Sequence, residues 1–442
     1  MVDLRKQLRK LSLPLFFDLA LVMLVGCIDT LMLSRCGDGA VAAVGLDNQL
    51  IGLVFLVYQF VSMGAAILCA QYHGAGETRR FHQIVGMALV INTAISLLMS
   101  FVLWGFSEEI LRVMGLREEL MPEGAVYLRI TGSLSFFQAM SLTLSASLRS
   151  ADKVVAPMAV NVIANVMNLC GNYILIFGHF GFPALGVAGA AWATALSRMA
   201  AFGLLWRYHT AHHIRAFPLA LFKPFPVREL KTLVLVGIPA MSEEISYCLS
   251  QVVITYFINS ISNAALTTRT YCVNLITFVN LFTLAVTQGG DILVGHLVGR
   301  RRYRPAYVTG TFMLHRAMAV TLVCGAILAA IGPVTMPLLT DNPWIIRTSC
   351  IIFCIDFFLN IGRVRNIFAC GTLRAAGDVV YPVAVGITVQ WLVAVGCGYL
   401  FGITFGLGLI GMWVAFTLDE NLRGVILVRR WHSLAWCGKS FS

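Results

Sequence analysis

Twelve apolar runs, each close to twenty residues, follow one another along the 442-residue chain. They fall at roughly 13–34, 48–70, 85–105, 124–147, 157–178, 185–206, 233–258, 266–289, 309–331, 348–370, 380–400 and 407–428. About twenty helical residues cross the hydrocarbon core of a bilayer, and inside lipid a segment must satisfy its own backbone hydrogen bonds. The runs therefore predict an all-α integral membrane protein with twelve transmembrane helices. Composition agrees: 58% of residues are hydrophobic, mean hydropathy is +0.82, and charged residues make up only 12%. A soluble chain would carry about twice that share of charge.

The opening "RKQLRK" before an apolar run resembles the start of a signal peptide. The run holds Asp18 and Asp29 and has no small-residue cleavage pattern after it, so it reads as the first span. The twelve cysteines show no C-x-x-C or metal-ligand spacing; Cys69, Cys170 and Cys397 fall inside spans, as small hydrophobes do. A net charge of +11 raises the question of nucleic acid, but the distribution points to topology. With the N-terminus inside, inner loops and tails hold 21 of the 32 Lys and Arg residues, outer loops four (Arg35, Arg112, Arg117, Arg347), and spans or their ends the other seven. This is the positive-inside pattern of a multi-pass protein of the cell membrane with both termini cytoplasmic. No nucleic-acid partner is expected.

The chain also repeats itself. "LRSADKVVAP" (148–157) and "LRAAGDVVYP" (373–382) agree at six of ten positions, 373 − 148 = 225 residues apart. Leu13-Pro14 corresponds to Ile238-Pro239 at the same offset, "LGVAGAAWAT" (185–194) echoes "LGLIGMWVAF" (407–416), and "QYHGAGETRRF" echoes "GHLVGRRRYRP". Each half thus holds six spans. Six is even, so the halves enter on the same side and the repeat is parallel, an architecture that suits alternating access. The expected domains are an N-lobe over 1–208, a Pro- and charge-bearing cytoplasmic linker over 209–231, and a C-lobe over 232–442. The linker's "HTAHH" (His209, His212, His213) reads as a solvated loop in preference to a metal site, since no further ligands lie near it.

In order and spacing, "CIDTLMLSRCGDGAVAAVGL" (27–46), "AQYHGAGETRR" (70–80), "NYILIFGHFGFPALGVAGAAWAT" (172–194), "GTLRAAGD" (371–378) and "VRRW" (428–431) resemble the multidrug and toxic compound extrusion (MATE) transporters, in particular their DinF-like branch. The resemblance spans essentially the whole chain. It implies a V-shaped pair of six-helix lobes that exports organic, often cationic, compounds in exchange for protons or sodium.

Polar groups inside spans are costly and usually face a cavity or a partner, so the site is sought among them. Asp18 and Asp29 lie eleven residues apart in the first span, three helical turns and about 16 Å along one face. A carboxylate in low dielectric can exchange a proton near neutral pH. Asn161, Asn165, Asn168 and Asn172 form one stripe on the fifth span, too polar for lipid: either glue between helices or the wall of a hydrated cavity. The resemblance implies that Asp29 is the cation-coupling carboxylate and that the stripe faces it. It also implies a second carboxylate where this chain has Asn172-Tyr173, so Asp29 is expected to carry the N-lobe proton alone. In the C-lobe, Glu243, Glu244 and Tyr247 on the seventh span and Asp356, Asn360 and Arg363 on the tenth form a candidate polar site. The NorM-like branch has carboxylates at the places of Tyr247 and Arg363; a guanidinium there repels sodium, so protons are the expected driving ion. A Glu244–Arg363 ion pair is expected at matching depth. Phe55, Tyr58, Phe60, Phe278 and Phe282 are either cavity aromatics for flat cations or ordinary core and lipid-facing residues.

The expected function is secondary antiport of amphiphilic organic compounds by a monomer in contact with membrane lipid, with no cofactor, metal or catalytic residue and with H+ as coupling ion, Na+ being the alternative. A lipid-linked glycan flippase is the competing transporter reading. An intramembrane enzyme would show paired Asp-rich motifs or a loop His-Asp pair, and direct ATP coupling would show a P-loop; neither is present.

Overall fold

In a computed structural model that describes residues 2–33, 35, 38–212 and 225–441, every regular element is helical. The first six apolar runs become α1 (Val2–Leu33), α2 (Asp38–Ala75), α3 (Thr78–Gly105), the pair α5 (Met121–Ser133) and α6 (Phe136–Ser150), α7 (Val155–Phe177) and α8 (Val187–His212), with a short α4 (Ser107–Val113) after α3. The next six become α9 (Val227–Ile261), α10 (Asn263–Gly299), α11 (Tyr303–Thr335), α12 (Pro343–Ala375), α13 (Val380–Val389) with its π-helical continuation Gln390–Cys397 and Leu400–Thr404, and α14 (Gly408–His432). Pro14 and Pro239 both lie inside their helices, where each removes a backbone donor. Of the linker histidines, His209 is buried; the His212 side chain and His213 lie outside the described residues.

The repeated phrase closes two helices in the same way. The Lys153 N–H bonds the Leu148 carbonyl at 2.9 Å and the Asp378 N–H bonds the Leu373 carbonyl at 2.9 Å, the long bond of a Schellman turn. Such a turn needs a left-handed residue: Asp152 at φ 62° in one copy, Gly377 at φ 96° in the other. Asp tolerates that region better than most side chains. At Gly377 nothing else fits, because an added Cβ would stand 2.2 Å from the Lys439 carbonyl oxygen.

Packing divides the chain into two compact units. One comprises Phe17–His73 and Glu77–Met241; the other comprises Met1–Phe16, Gly74–Gly76 and Ser242–Ser442. The first is built on an apolar core that includes Val44, Ile51, Leu111, Ala125 and Leu128. A polar seam runs beside it: Asn92 Nδ2 donates to Thr143 Oγ1 (2.7 Å) and Ser62 Oγ (3.1 Å), and the hydroxyls of Tyr58 and Ser135 are 2.9 Å apart. Such bonds join helices that have no hydrophobic drive to associate within lipid. The second unit has its own core around Ile254, Ile258, Ile352, Phe353 and Trp413. There Thr283 bonds Thr321, and Trp391 Nε1 donates to Ser246 Oγ at 2.9 Å.

Candidate functional site

α1 and α7 run in parallel register in the first unit. Asn161 Nδ2 donates to Asp18 Oδ1 at 2.7 Å and Asn172 Nδ2 to Asp29 Oδ1 at 2.8 Å, and both pairs are 143 residues apart in sequence. The 3.6-residue period of each helix makes this possible, since eleven residues are three turns on both. Asn168, oriented by the network it faces, donates to both oxygens of Asp29 (3.1 and 3.3 Å) and accepts from the Thr194 hydroxyl at 3.2 Å. Asn168 and Asn172 are buried, Asp29 and Asn165 half-buried. The stripe thus divides between two carboxylates. Asp29 is surrounded by amide donors, an arrangement that can hold a carboxylate in either protonation state. Asp18 instead meets a cation: Arg149 Nη2 lies 2.6 Å from its Oδ2.

Arg149 belongs to the repeated phrase, and its counterpart 225 residues on, Arg374, pairs with Glu243, the counterpart of Asp18. In each unit the arginine of the phrase, in the last turn of its helix, ties down the helix that opens the half. The second copy reaches the same result with different lengths. Position 161 corresponds to 386, a glycine, and a Cβ there would sit 3.0 Å from Glu243 Oε1. The longer Glu fills the space that Asn161 occupies beside the shorter Asp18. The Cys370 thiol completes the site, 3.6 Å from Glu243 Oε1.

The second unit's other charges form a closed network. Arg363 lies 3.6 Å from Asp356 Oδ1 and 3.8 Å from Glu420 Oε1; Arg423 pairs with Asp419 and lies 3.6 Å from Glu420. Asn360 Nδ2 donates to Asp356 Oδ2 at 2.8 Å and accepts from Arg363 at 3.2 Å. Asp356, Asn360 and Arg363 are therefore together as their spacing predicts. The expected Glu244–Arg363 pair is replaced: Arg363 turns to Asp356 and to Glu420 on α14, and Glu244 is exposed beside Glu243. One position along α9 rotates a side chain by about 100°, so Glu243 faces Arg374 and Glu244 does not. Tyr247 is 46% exposed and lies within electrostatic reach of Arg363. Among the aromatics, Tyr58 is fully buried in the core and Phe60, half-buried, packs against Gly237; Phe55 lies under Arg198, with the guanidinium 5.0 Å from the ring centroid.

Four polar residues of the first unit were not singled out by the sequence reading: Asp47, Tyr127, Thr194 and Arg198. Tyr127 on α5 donates to Asn48 Oδ1 at 3.3 Å and lies within electrostatic reach of Arg198, Asp47 and Asp29. Asp47 escapes notice because the second apolar run reads from residue 48, which leaves the carboxylate in a loop. α2 begins at Asp38 and carries Asp47 more than two turns inside. Arg198 is one of the seven basic residues within spans or at their ends, and it lies one turn beyond Thr194 on the same face of α8.

Two helical repeat units, each with acidic side chains held by partners inside its bundle, make this a polytopic membrane protein. The MatE family model matches residues 14–174 and again 239–400, one match in each half. The uncharacterized transporter YisQ of Bacillus subtilis is 35% identical over 98% of this chain and 95% of its own length. A probable multidrug resistance protein NorM of Thermotoga maritima is 26% identical over 98% and 93%. Among solved structures, a mutant of the Vibrio cholerae MATE transporter VcmN superposes with a TM-score of 0.91 at 17% identity, over 100% of this chain and 99% of that one. A MATE structure in the bent conformation gives 0.88 at 18% identity, over 98% and 96%. The chain belongs to the MatE family of multidrug and toxic compound extrusion transporters and has its twelve-helix fold; members of that family are transporters, not enzymes.

Proposed function

We propose that the protein is a proton-driven antiporter of the DinF-like branch that exports amphiphilic, cationic organic compounds by alternating access. The carrying observation is Asp29, held by the amides of Asn168 and Asn172 with no cation paired to it among the described residues. Amide donors stabilise the ionised carboxylate without fixing it, so it can gain and lose a proton as the helices repack. Asp18, in contrast, is held by Arg149 and serves architecture. In the C-lobe, Arg363 already neutralises Asp356 and Glu420, which favours protons over sodium as the driving ion. The names of relatives such as the NorM and PmpM multidrug resistance proteins support organic substrates. The moving bodies are the lobes 1–208 and 232–442, the termini are cytoplasmic, and the functional form is a monomer in the cell membrane.

Purified protein in liposomes, with proton and sodium gradients imposed separately, tests this. Export of a cationic dye should follow the proton gradient and be lost in Asp29→Asn, which keeps shape but not the titratable group. Export that follows sodium at constant pH would overturn the choice of ion, and undiminished export by Asp29→Asn would remove Asp29 from coupling. A second reading, a flippase for an anionic lipid-linked glycan, draws on Arg198, whose Nη1 is buried without a hydrogen-bond partner among the described residues. It requires lipid headgroup translocation that Arg198→Gln abolishes.

A further inference from the structure

Asp47 is the most anomalous side chain of the first unit. It is 0% exposed, and neither of its carboxylate oxygens meets a hydrogen-bond donor among the described residues. It stands on the apolar stripe of α2, three residues after Val44 and four before Ile51, both buried in the core with Leu111 and Leu128. Across from it is Gly124 of α5, where an added Cβ would come within 3.7 Å of Asp47 Oδ2 and within 3.3 Å of Leu111. Leu116 closes the same side, 2.8 Å from that Cβ. Buried polar groups are almost always hydrogen-bonded, and exceptions call for a reason. A charge buried without a partner costs several kcal/mol, far more than a neutral carboxyl does.

We propose that Asp47 is a second proton-binding carboxylate of the first unit: it holds a proton in this conformation and releases it when the α2–α5 contact hydrates during the cycle. The balance is simple: one carboxylate takes one proton from water on one side and returns one to water on the other, and no redox partner enters. The ionisable groups near it are few. From α5 there is Tyr127, three residues after Gly124, and Tyr127 in turn lies within electrostatic reach of Arg198 on α8 and Asp29 on α1. The leucines of 111 and 116 offer nothing that titrates. Asp47 would thus provide the second acidic group that Asn172 does not, on a different helix. This rests on the proton-coupled reading above.

Two measurements separate the inference from that reading. Infrared spectra of the purified protein should show a carbonyl stretch of a protonated carboxylic acid that disappears in Asp47→Asn and persists in Asp29→Asn. In liposomes, protons counted by a pH dye per labelled substrate should fall by one in Asp47→Asn. If no such band is lost in Asp47→Asn, or the proton count is unchanged, the inference falls while proton-driven export through Asp29 stands. If the band is lost as expected but export follows sodium, the coupling reading falls and the bound proton remains. Should Asp47→Asn not fold, Asp47→Leu, which matches its apolar neighbours, carries the same two measurements; replacing a buried ionisable group by a packed apolar one is often neutral or stabilising.

Discussion

Among the described residues Asp29 is held by amide donors alone, and that determines how its neighbours act. Replacing both Asn168 and Asn172 by Leu removes every amide donor found on it. The neutral carboxyl loses less by this than the charged one, so the pH dependence of export should move toward higher pH while folded protein is still recovered. If the amides were only glue between helices, the yield of folded protein would drop and the pH profile of the survivors would stay where it was. A second residue-level test lies in the repeated turn. Gly377→Ala forces a side chain into the left-handed region and against the Lys439 carbonyl, and should lower thermal stability by at least about 1 kcal/mol. Of these residues the sequence revealed Asp29, the stripe and the phrase, because charge, period and repetition are properties of a string. The left-handed turn was not legible, since one copy carries Asp where glycine would have announced it.

At the scale of the element, the two arginines of the phrase hold α1 and α9 near their inner prolines. Breaking a buried ion pair by removing one partner typically costs about 3–5 kcal/mol. Glu243→Asp shortens the acid by one carbon and should lose a good part of that, read as a fall in melting temperature in detergent. Adding Gly386→Asn, which supplies what Asn161 supplies beside Asp18, should recover stability. Gly386→Asn alone, with Glu243 in place, should destabilise. A double mutant no better than the sum of its parts would show that the two sites do not share a plan. The offset of 225 makes Asp18 and Glu243 recognisable as counterparts, but hydropathy does not reveal their partners: Arg149 and Arg374 lie beyond the apolar runs that end at 147 and 370, yet both sit in the last turn of a helix, within reach of the acid. Asp47 was missed for the same reason, a span boundary set by hydropathy where the helix continues.

For the molecule as a whole, one repeat has produced two interiors of different character. The first unit leaves Asp29 and Asp47 without a cation partner among the described residues, whereas the second pairs Asp356, Asp419 and Glu420 with Arg363 and Arg423. Arg363→Met should therefore cost stability at neutral pH, about 3–5 kcal/mol, and regain part of it as pH falls and the stranded acids protonate; a loss independent of pH would mean that packing alone is at stake. The twelve helices and the parallel halves were legible in full, since hydropathy and repetition set them. The network on α14 was not, because Asp419, Glu420 and Arg423 lie inside the chain's final apolar run and only the packing of α14 on α12 brings them to Arg363.

The unequal pairs, Asp18 with Asn161 and Glu243 with Gly386, have a consequence for how such a chain can change. A duplicated gene can exchange sequence between its halves, and where the halves still match, exchange goes unnoticed. Here a crossover that brings the opening helix of one half together with the later helix of the other would leave either two groups competing for one space or a carboxylate with too little around it. Only exchanges that carry both positions together survive. The difference of a single carbon therefore acts as a barrier to homogenisation, and it leaves the two halves free to drift toward separate tasks.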